Sequence, residues 1–453
     1  MLEVRLLRTP GLGDSSYVLA EDGLGIVIDP QRDIERFLDE VERMGAQVRY
    51  VLETHLHNDY ISGGRELARR SGADLILPAA AGAAFAYVPA FHLEDFGEGR
   101  LQIRPLHTPG HTPEHTAYLV LVDGKEVAIF SGGSLLVGSA GRTDLLGSAR
   151  AAQLARLQFQ SVMRLSALPD EVELYPTHGA GSFCSAGVAG PATSSIGEEK
   201  RTSPVLQYPD AEQFAAAQLG SLDPYPRYYA QMGPANLQGP PPMATPAPIP
   251  KLRAEDLGSL IGEVQIVDAR PKQHYADGHI PGAWGIELNE DFVTWVGWLL
   301  PFDAPLVLVL EDDQDDDEAV TALARIGFDH VNGVMNGMEE WADSGREVVS
   351  HETITAREFL ELNEPDLQVL DVRSPSEWNE DHFEGSVHCY LPDLVASVPT
   401  ALDQGRPVYI GCTTGHRAST AAGLLALSGF RPVVMVGASL LGALMLQRQQ
   451  ATV

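Results

Sequence analysis

Glu53-Thr54-His55-Leu56-His57-Asn58-Asp59-Tyr60-Ile61-Ser62-Gly63-Gly64 follows an apolar run, Val48 to Leu52, that reads as a buried strand running out into a loop. Two histidines two residues apart, with a carboxylate two further on, converge on one metal ion if a turn curls them inward. Imidazole and carboxylate are ordinary ligands of zinc and of non-haem iron. Such a loop after a strand predicts a metal-type site on an α/β scaffold.

The surroundings fit that scaffold. Glu3 to Leu7, Ser16 to Ala20 and Gly25 to Asp29 alternate as strands, and Ile34, Phe37, Leu38 and Val41 recur at helical spacing over 33–44. Asp29 ends its strand as Ile-Asp-Pro, either as a turn former or as a support behind the site. A helix is expected from Gly64 to Arg70, with strands at 73–77, 101–105, 117–122 and 126–130. Short strands in series with few helices between them suggest an αββα sandwich. Downstream, Pro109-Gly110 fixes a turn before His111, and Tyr175-Pro-Thr-His178 sets another histidine at a strand end. His55, His57, His111, His178 and Asp59, on separate loops, suffice for a one- or two-metal site. His107 and His115 are equally compatible with hydrogen-bonding roles.

A chain of 453 residues calls for two to four domains. With 31 Lys and Arg against 62 Asp and Glu, its net charge of −31 excludes nucleic acid and anionic membrane surfaces as main partners. Three widely spaced cysteines, Cys184, Cys389 and Cys412, make neither a disulfide framework nor a Cys-x-x-Cys zinc site. Together with Met1 to Arg8, which lack a basic-then-apolar signal pattern, they predict a cytoplasmic protein. The apolar region Leu424 to Leu446 is broken by Arg431-Pro432 and glycines and reads as core strand and helix, not a membrane span.

Residues 239–250 are a proline-rich linker. An internal repeat follows. Val267-Asp268-Ala269-Arg270 recurs as Leu370-Asp371-Val372-Arg373, and Pro305 to Leu310 matches Pro407 to Cys412. Each unit alternates strand and helix, so two small α/β domains are expected, over 251–347 and 351–453. In the second, the strand Pro407 to Gly411 runs into Cys412-Thr-Thr-Gly-His-Arg417 and a helix. A cysteine entering a helix N-terminus beside an arginine is primed as a thiolate. In the first, the gapless match puts Leu310 at the position of Cys412 and Asp315 at that of Arg417, within the acidic run Glu311 to Glu318. That run lacks EF-hand spacing and reads as a solvated loop.

Residues 1–238 resemble the persulfide dioxygenase branch of the metallo-β-lactamase superfamily. The resemblance rests on the His55 loop, Thr108-Pro-Gly-His111, Ser131-Gly-Gly-Ser-Leu-Leu136 with Gly141-Arg-Thr-Asp144, and Ile196-Gly-Glu-Glu-Lys-Arg-Thr202. The Cys412 loop, with Asp371-Val-Arg373 and Trp378, resembles rhodanese sulfurtransferases. The whole chain is similar to three-domain persulfide dioxygenase–sulfurtransferase fusions: a metallo-β-lactamase sandwich, a silent rhodanese-like domain, and an active one.

The resemblance implies a Cys412 persulfide assisted by Arg417, a low-molecular-weight thiol persulfide, thiosulfate or sulfite as substrates, and Arg142, Tyr175, Lys200 and Arg201 as candidates for holding a thiol substrate's carboxylates. A homo-oligomer is compatible with such fusions. It also implies ferrous iron, Fe(2+), held by two histidines and an aspartate at the positions of His55, His111 and Gly133. Glycine has no ligand, and Tyr60 stands where the family's loop ends in histidine. Three arrangements stay open: weak iron with water in the vacant position, a three-histidine Zn(2+) site of His55, His57 and His111, or a metal-free scaffold. Asp59, His178 and Asp29 are candidates for a second site or a supporting role. Besides sulfane-sulfur chemistry, a zinc-dependent thioester hydrolase and a non-catalytic persulfide carrier or sensor remain as rivals.

Overall fold

The computed structural model describes residues 2–186, 191–243, 249–362, 367–437, 440 and 442–444. Part of the expected linker, 244–248, and of the C-terminal apolar region, together with the end of the last expected domain, lie outside the described residues. The described chain divides into two units, one drawn largely from residues up to Thr245 and the other largely from Pro246 onward. Among the described residues no helix is long and apolar enough to cross a membrane.

The first unit opens with β1 (Glu3–Thr9), β2 (Asp14–Glu21), β3 (Leu24–Ile28), β4 (Gln47–Leu52), β5 (Asp74–Pro78) and β6 (Val88–Ala90), which lie side by side in that order in one sheet. Then come β7 (Phe96–Glu98), β8 (Leu101–His107), β9 (Thr116–Val122), β10 (Lys125–Gly132), β11 (Leu135–Leu136), β12 (Ser139–Gly141), β13 (Glu173–Pro176), β14 (Ser185–Ala186) and β15 (Ser194–Ser195). The second sheet has the order β15-β13-β10-β9-β8-β7, while β11, β12 and β14 form a small one.

Period-two alternation gives each large sheet two apolar faces. Tyr17, Leu19, Ile26, Ile28, Tyr118, Val120 and Phe130 fill the layer between the sheets. Val18, Val27 and Val51 turn outward to Phe37, Val41 and Leu67 on the helices Glu35–Arg43 and Gly64–Ser71. On the far side Leu119, Leu121 and Ile129 meet Val162 and Leu165 of the helix Ser148–Leu165. This is the expected αββα sandwich.

In the second unit, β16 (Gln265–Asp268), β17 (Trp284–Gly285), β18 (Leu306–Leu310) and β19 (Val331–Asn336) form a parallel sheet ordered β17-β16-β18-β19. Another follows from β20 (Glu352–Thr355), β21 (Gln368–Asp371), β22 (Val387–His388), β23 (Pro407–Gly411) and β24 (Arg431–Val436), ordered β20-β24-β23-β21-β22. Registers repeat with the sequence: Asp268 pairs with Val309, and Asp371 with Gly411. The next residues, Leu310 and Cys412, are therefore equivalent. A latch is repeated too. Arg270 grips Asp268 and the Gly278 carbonyl, as Arg373 grips Asp371 and the Asp381 carbonyl.

Candidate functional site

The loop after β4 brings His55 and His57 together at the strand ends, and the loops after β8 and β13 deliver His111 and His178. All four are buried. Their tautomers follow from their neighbours. Thr54 Oγ1 donates to Asp29 Oδ2 at 2.8 Å, so it accepts from His55 Nδ1, also at 2.8 Å. His178 Nδ1 donates to Asp14 Oδ1 at 2.8 Å, and His111 Nδ1 to the Arg142 carbonyl at 2.7 Å. Each ring thus offers an Nε2 lone pair to the interior. His55 Nε2 and His178 Nε2 face each other at 3.4 Å, and His111 Nε2 has no hydrogen-bond partner. Two lone pairs at that separation repel unless a cation lies between them. Zinc–nitrogen bonds of about 2.0–2.1 Å at a tetrahedral angle span about 3.3–3.4 Å. The donors therefore fit a nitrogen-ligated metal.

Asp29, in a left-handed conformation with φ 52° at the end of β3, braces the cluster. It accepts from the Thr54 amide at 2.7 Å, lies 3.3 Å from His57 Nε2, and also takes the Thr177 hydroxyl. Burial pulls the His57 pKa down, but Asp29 and Glu53 outweigh it and hold it well above the ordinary imidazole range. His57 stacks on Tyr60, and its Nδ1 is buried without a partner. Asp14 and Asp59 are a buried carboxylate pair. Burial pushes both to about 7, with Asp14 adding repulsion at Asp59.

The structure brings the rings of His55, His57 and His111 together, with His55 4.1 Å from His57 and 4.8 Å from His111 between centroids. Among the described residues, the groups whose donor atoms all lie within 4.8 Å are His55/His57/His178, His111/His178/Cys184, Asp14/Asp59/His178 and Asp29/Glu53/His57. His178 makes such a set with His55 and His57, and the His111 ring lies against His55 as well, with centroids 4.8 Å apart. The two-histidine, one-carboxylate arrangement does not fit. A Cβ on Gly133 would stand 2.3 Å from His111 Cδ2, so the imidazole fills the space that an aspartate would need. His111 is pinned there by Arg142 and by Gln158 Oε1, which accepts its amide at 2.7 Å. Gly133→Asp is expected to cost about 1–3 kcal/mol by overpacking, read as a lowered melting temperature. The same variant should not gain stoichiometric iron.

Other candidates prove to have internal partners. Arg142 is buried, bidentate on Asp144, and donates to the Phe183 and Asp223 carbonyls. Tyr175 stacks on Phe130 and meets Tyr17 edge-on between the sheets. Arg201 pairs with Glu198, and Lys200 with Asp170, on an exposed helix. Arg142 and Tyr175 are thus built into the interior, while the ion pairs of Arg201 and Lys200 lie at the surface and contribute little to stability. His115 donates to Thr108 and accepts the Gly133 amide at 2.9 Å; half-buried His107 reaches the Pro113 carbonyl. Asp14 and Cys184 are the residues that sequence reasoning missed. The glycines Gly179 and Gly181 behind His178 are the local signal of a loop folding back on the cluster. That return needs Gly13, at φ 68°, where a Cβ would meet the Ser182 amide nitrogen at 2.1 Å.

In the second unit Cys412 follows β23 and is buried beneath its loop. The Gly415 amide donates to Cys412 Sγ at 3.1 Å, just before the helix His416–Leu427. Arg417 forks onto Glu377 and also donates to Thr413 Oγ1 at 2.8 Å. Although burial opposes it, this pairing holds the Glu377 carboxyl at about 2. Arg417 thus anchors the loop as well as lending charge to Cys412. The first repeat backs the same loop: Lys272 Nζ and Asn289 Nδ2 reach the two ring nitrogens of His416 at 2.8 and 3.0 Å.

In the first repeat, Leu310 is buried where the nucleophile would be, and His274 meets Glu311 at 2.7 Å. Helix and loop are still joined there, but with acid and base exchanged. Leu310→Cys in a Cys412→Ser chain is expected to restore no sulfur transfer, checked by thiocyanate formation from thiosulfate and cyanide, because Asp315 takes the place of the arginine.

Residues 9–178 match the metallo-beta-lactamase superfamily, and residues 253–344 and 355–439 match the rhodanese-like domain. A probable metallo-hydrolase of Burkholderia pseudomallei is 30% identical over 203 residues, 36% of this chain and 67% of that protein. A hydroxyacylglutathione hydrolase of Actinobacillus pleuropneumoniae is 30% identical over 173 residues, 37% of this chain and 67% of its own length. Across the curated relatives it matches, the chain spans between about half and two thirds of their length. The crystal structure of a metallo-beta-lactamase from Staphylococcus aureus is 26% identical, with a TM-score of 0.67, covering 74% of this chain and 99% of the other.

Proposed function

Since the chain belongs to the metallo-beta-lactamase superfamily through its N-terminal sandwich and continues into rhodanese-like domains, we propose that it is a sulfurtransferase of sulfane-sulfur metabolism working through a Cys412 persulfide. The observation that carries this reading is Cys412 Sγ at the start of a twelve-residue helix, taking the Gly415 amide at 3.1 Å. Amide hydrogen bonding and the helix dipole favour a thiolate there. The thiolate attacks the outer sulfur of thiosulfate, the S–S bond breaks, and sulfite leaves with the bonding pair. An acceptor thiolate then attacks the outer sulfur of the Cys412 persulfide, forming its own persulfide and returning the Cys412 thiolate. The test is thiosulfate-dependent sulfite release with a thiol acceptor. Release that needs Cys412 supports the reading; release unchanged in Cys412→Ser contradicts it.

The sandwich is read as a metal centre acting on a thiol compound by hydrolysis rather than by oxygen chemistry. Two observations favour this: His111 occupies the space beside Gly133, and curated relatives are named hydroxyacylglutathione hydrolases. Held by His178 and its neighbours, a zinc-class ion would supply Lewis acidity toward a bound carbonyl or water. Asp29 and Asp14 orient the surrounding histidines. Thioester cleavage by the zinc-loaded chain supports this reading; oxygen uptake with a thiol persulfide by the iron-loaded chain, without thioester cleavage, contradicts it.

A further inference from the structure

Cys184 lies beyond residues 9–178, which match the metallo-beta-lactamase superfamily, yet it is held by several hydrogen bonds. It sits where β14 begins, next to the Ser185–Gly141 and Ala186–Ala140 pairs. Its amide donates to Ser182 Oγ at 3.2 Å, and its carbonyl accepts the Arg142 amide at 2.8 Å. Arg142 Nη1 fixes the preceding Phe183 carbonyl at 2.9 Å. The carbonyl of this same arginine takes the His111 Nδ1 proton. One residue therefore sets both the position of the thiol and the tautomer of the imidazole.

The side chains so held converge. Cys184 Sγ and donor nitrogens of His111 and His178 all lie within 4.8 Å of one another, and all three residues are buried. His178 Nδ1 is spent on Asp14, so its Nε2 carries a lone pair, and His111 Nε2 is buried with no partner. An unpartnered imidazole lone pair beside a thiol, enclosed by the fold, is a costly arrangement if nothing binds it.

Resting on the reading of the sandwich as a metal centre, we infer that Cys184, His111 and His178 form a two-nitrogen, one-thiolate site for a zinc-class divalent cation, in place of the His55/His57/His178 set, since His178 Nε2 has one lone pair to give. On binding, the thiol releases its proton and the thiolate donates a sulfur pair to the ion, with no change in oxidation state. The thiolate supplies the negative charge that glycine at 133 cannot. One soft and two borderline donors select zinc-class ions over magnesium and calcium, and closing the set onto bonds of about 2.0–2.3 Å asks for small side-chain shifts. This site depends on no property of Cys412, so sulfur transfer and thiolate ligation can fail separately.

The test uses cobalt(II) as a spectroscopic probe in the full chain carrying Cys389→Ser and Cys412→Ser, where Cys184 is the sole cysteine. Bound cobalt is expected to show the near-ultraviolet sulfur-to-metal charge-transfer band that nitrogen and oxygen ligands do not give. In an otherwise unaltered chain, Cys184→Ser should abolish the band and weaken cobalt binding by at least the ~10–100-fold typical of losing an outer-shell partner. Failure of the Cys184-only chain to bind cobalt, cobalt bound without the band, or an undiminished band in Cys184→Ser overturns the site. The Cys184-only chain keeps the test decisive if Cys184→Ser does not fold.

Discussion

Cys412→Ser is expected to lower sulfur transfer from thiosulfate by at least about 10³-fold while leaving the fold intact. The serine oxygen accepts the Gly415 amide as the sulfur does, so the loop keeps its shape. What is lost is the nucleophile: an alcohol is not ionised near neutrality and cannot hold a sulfane sulfur as a persulfide. The other two cysteines do not substitute. Cys184 is buried in the other unit, and burial raises the Cys389 thiol to about 11. Sulfite release, measured against a circular-dichroism control, gives the comparison.

Arg417→Ala carries the second largest expected loss, about 10²-fold in kcat/KM. The guanidinium makes a forked pair with Glu377 and a bond to Thr413, so truncation frees both ends of the Cys412 loop and leaves Glu377 half-buried and unpaired. Arg417→Lys should recover only part of this, because an ammonium cannot reproduce the fork. The pH dependence has a definite sign. Against the effect of burial, Arg417 holds the Glu377 carboxyl at about 2 in the fold, below its ordinary value of 4.5. That stabilisation is complete above about pH 4.5 and fades as pH falls through about 2. Denaturation curves of wild type and Arg417→Ala should therefore differ most above pH 4.5 and draw together in strong acid.

Much of this molecule is legible in the chain. Alternation in residues 2–30 and the apolar runs before His55 and Cys412 specify strands, because burying one sheet face demands period two. The repeat was legible because its two sheets share a register: the gapless match of Leu310 to Cys412 reappears in the pairing of Asp268 with Val309 and Asp371 with Gly411. The ligand sets were harder. His111 and His178 are separated by five strands, and how each comes to stand beside His55 depends on loop paths that no local pattern encodes. Gly133 could be seen as a missing donor, but not as the floor beneath the His111 ring. Arg142 looked like a substrate clamp because an arginine in a distinctive motif invites that reading; its partners, Asp144, Phe183 and Asp223, meet only in the folded protein. Cys184 had no local mark beyond the glycines before it, since its neighbours in space come from residues 111 and 178.

The most direct measurement is mass spectrometry of the chain after brief exposure to thiosulfate, followed by alkylation and proteolysis. Cys412 chemistry predicts a gain of one sulfur atom on the peptide containing Cys412, discharged by an added thiol and absent from Cys412→Ser. An unmodified Cys412 peptide in a chain that still turns over thiosulfate would contradict it.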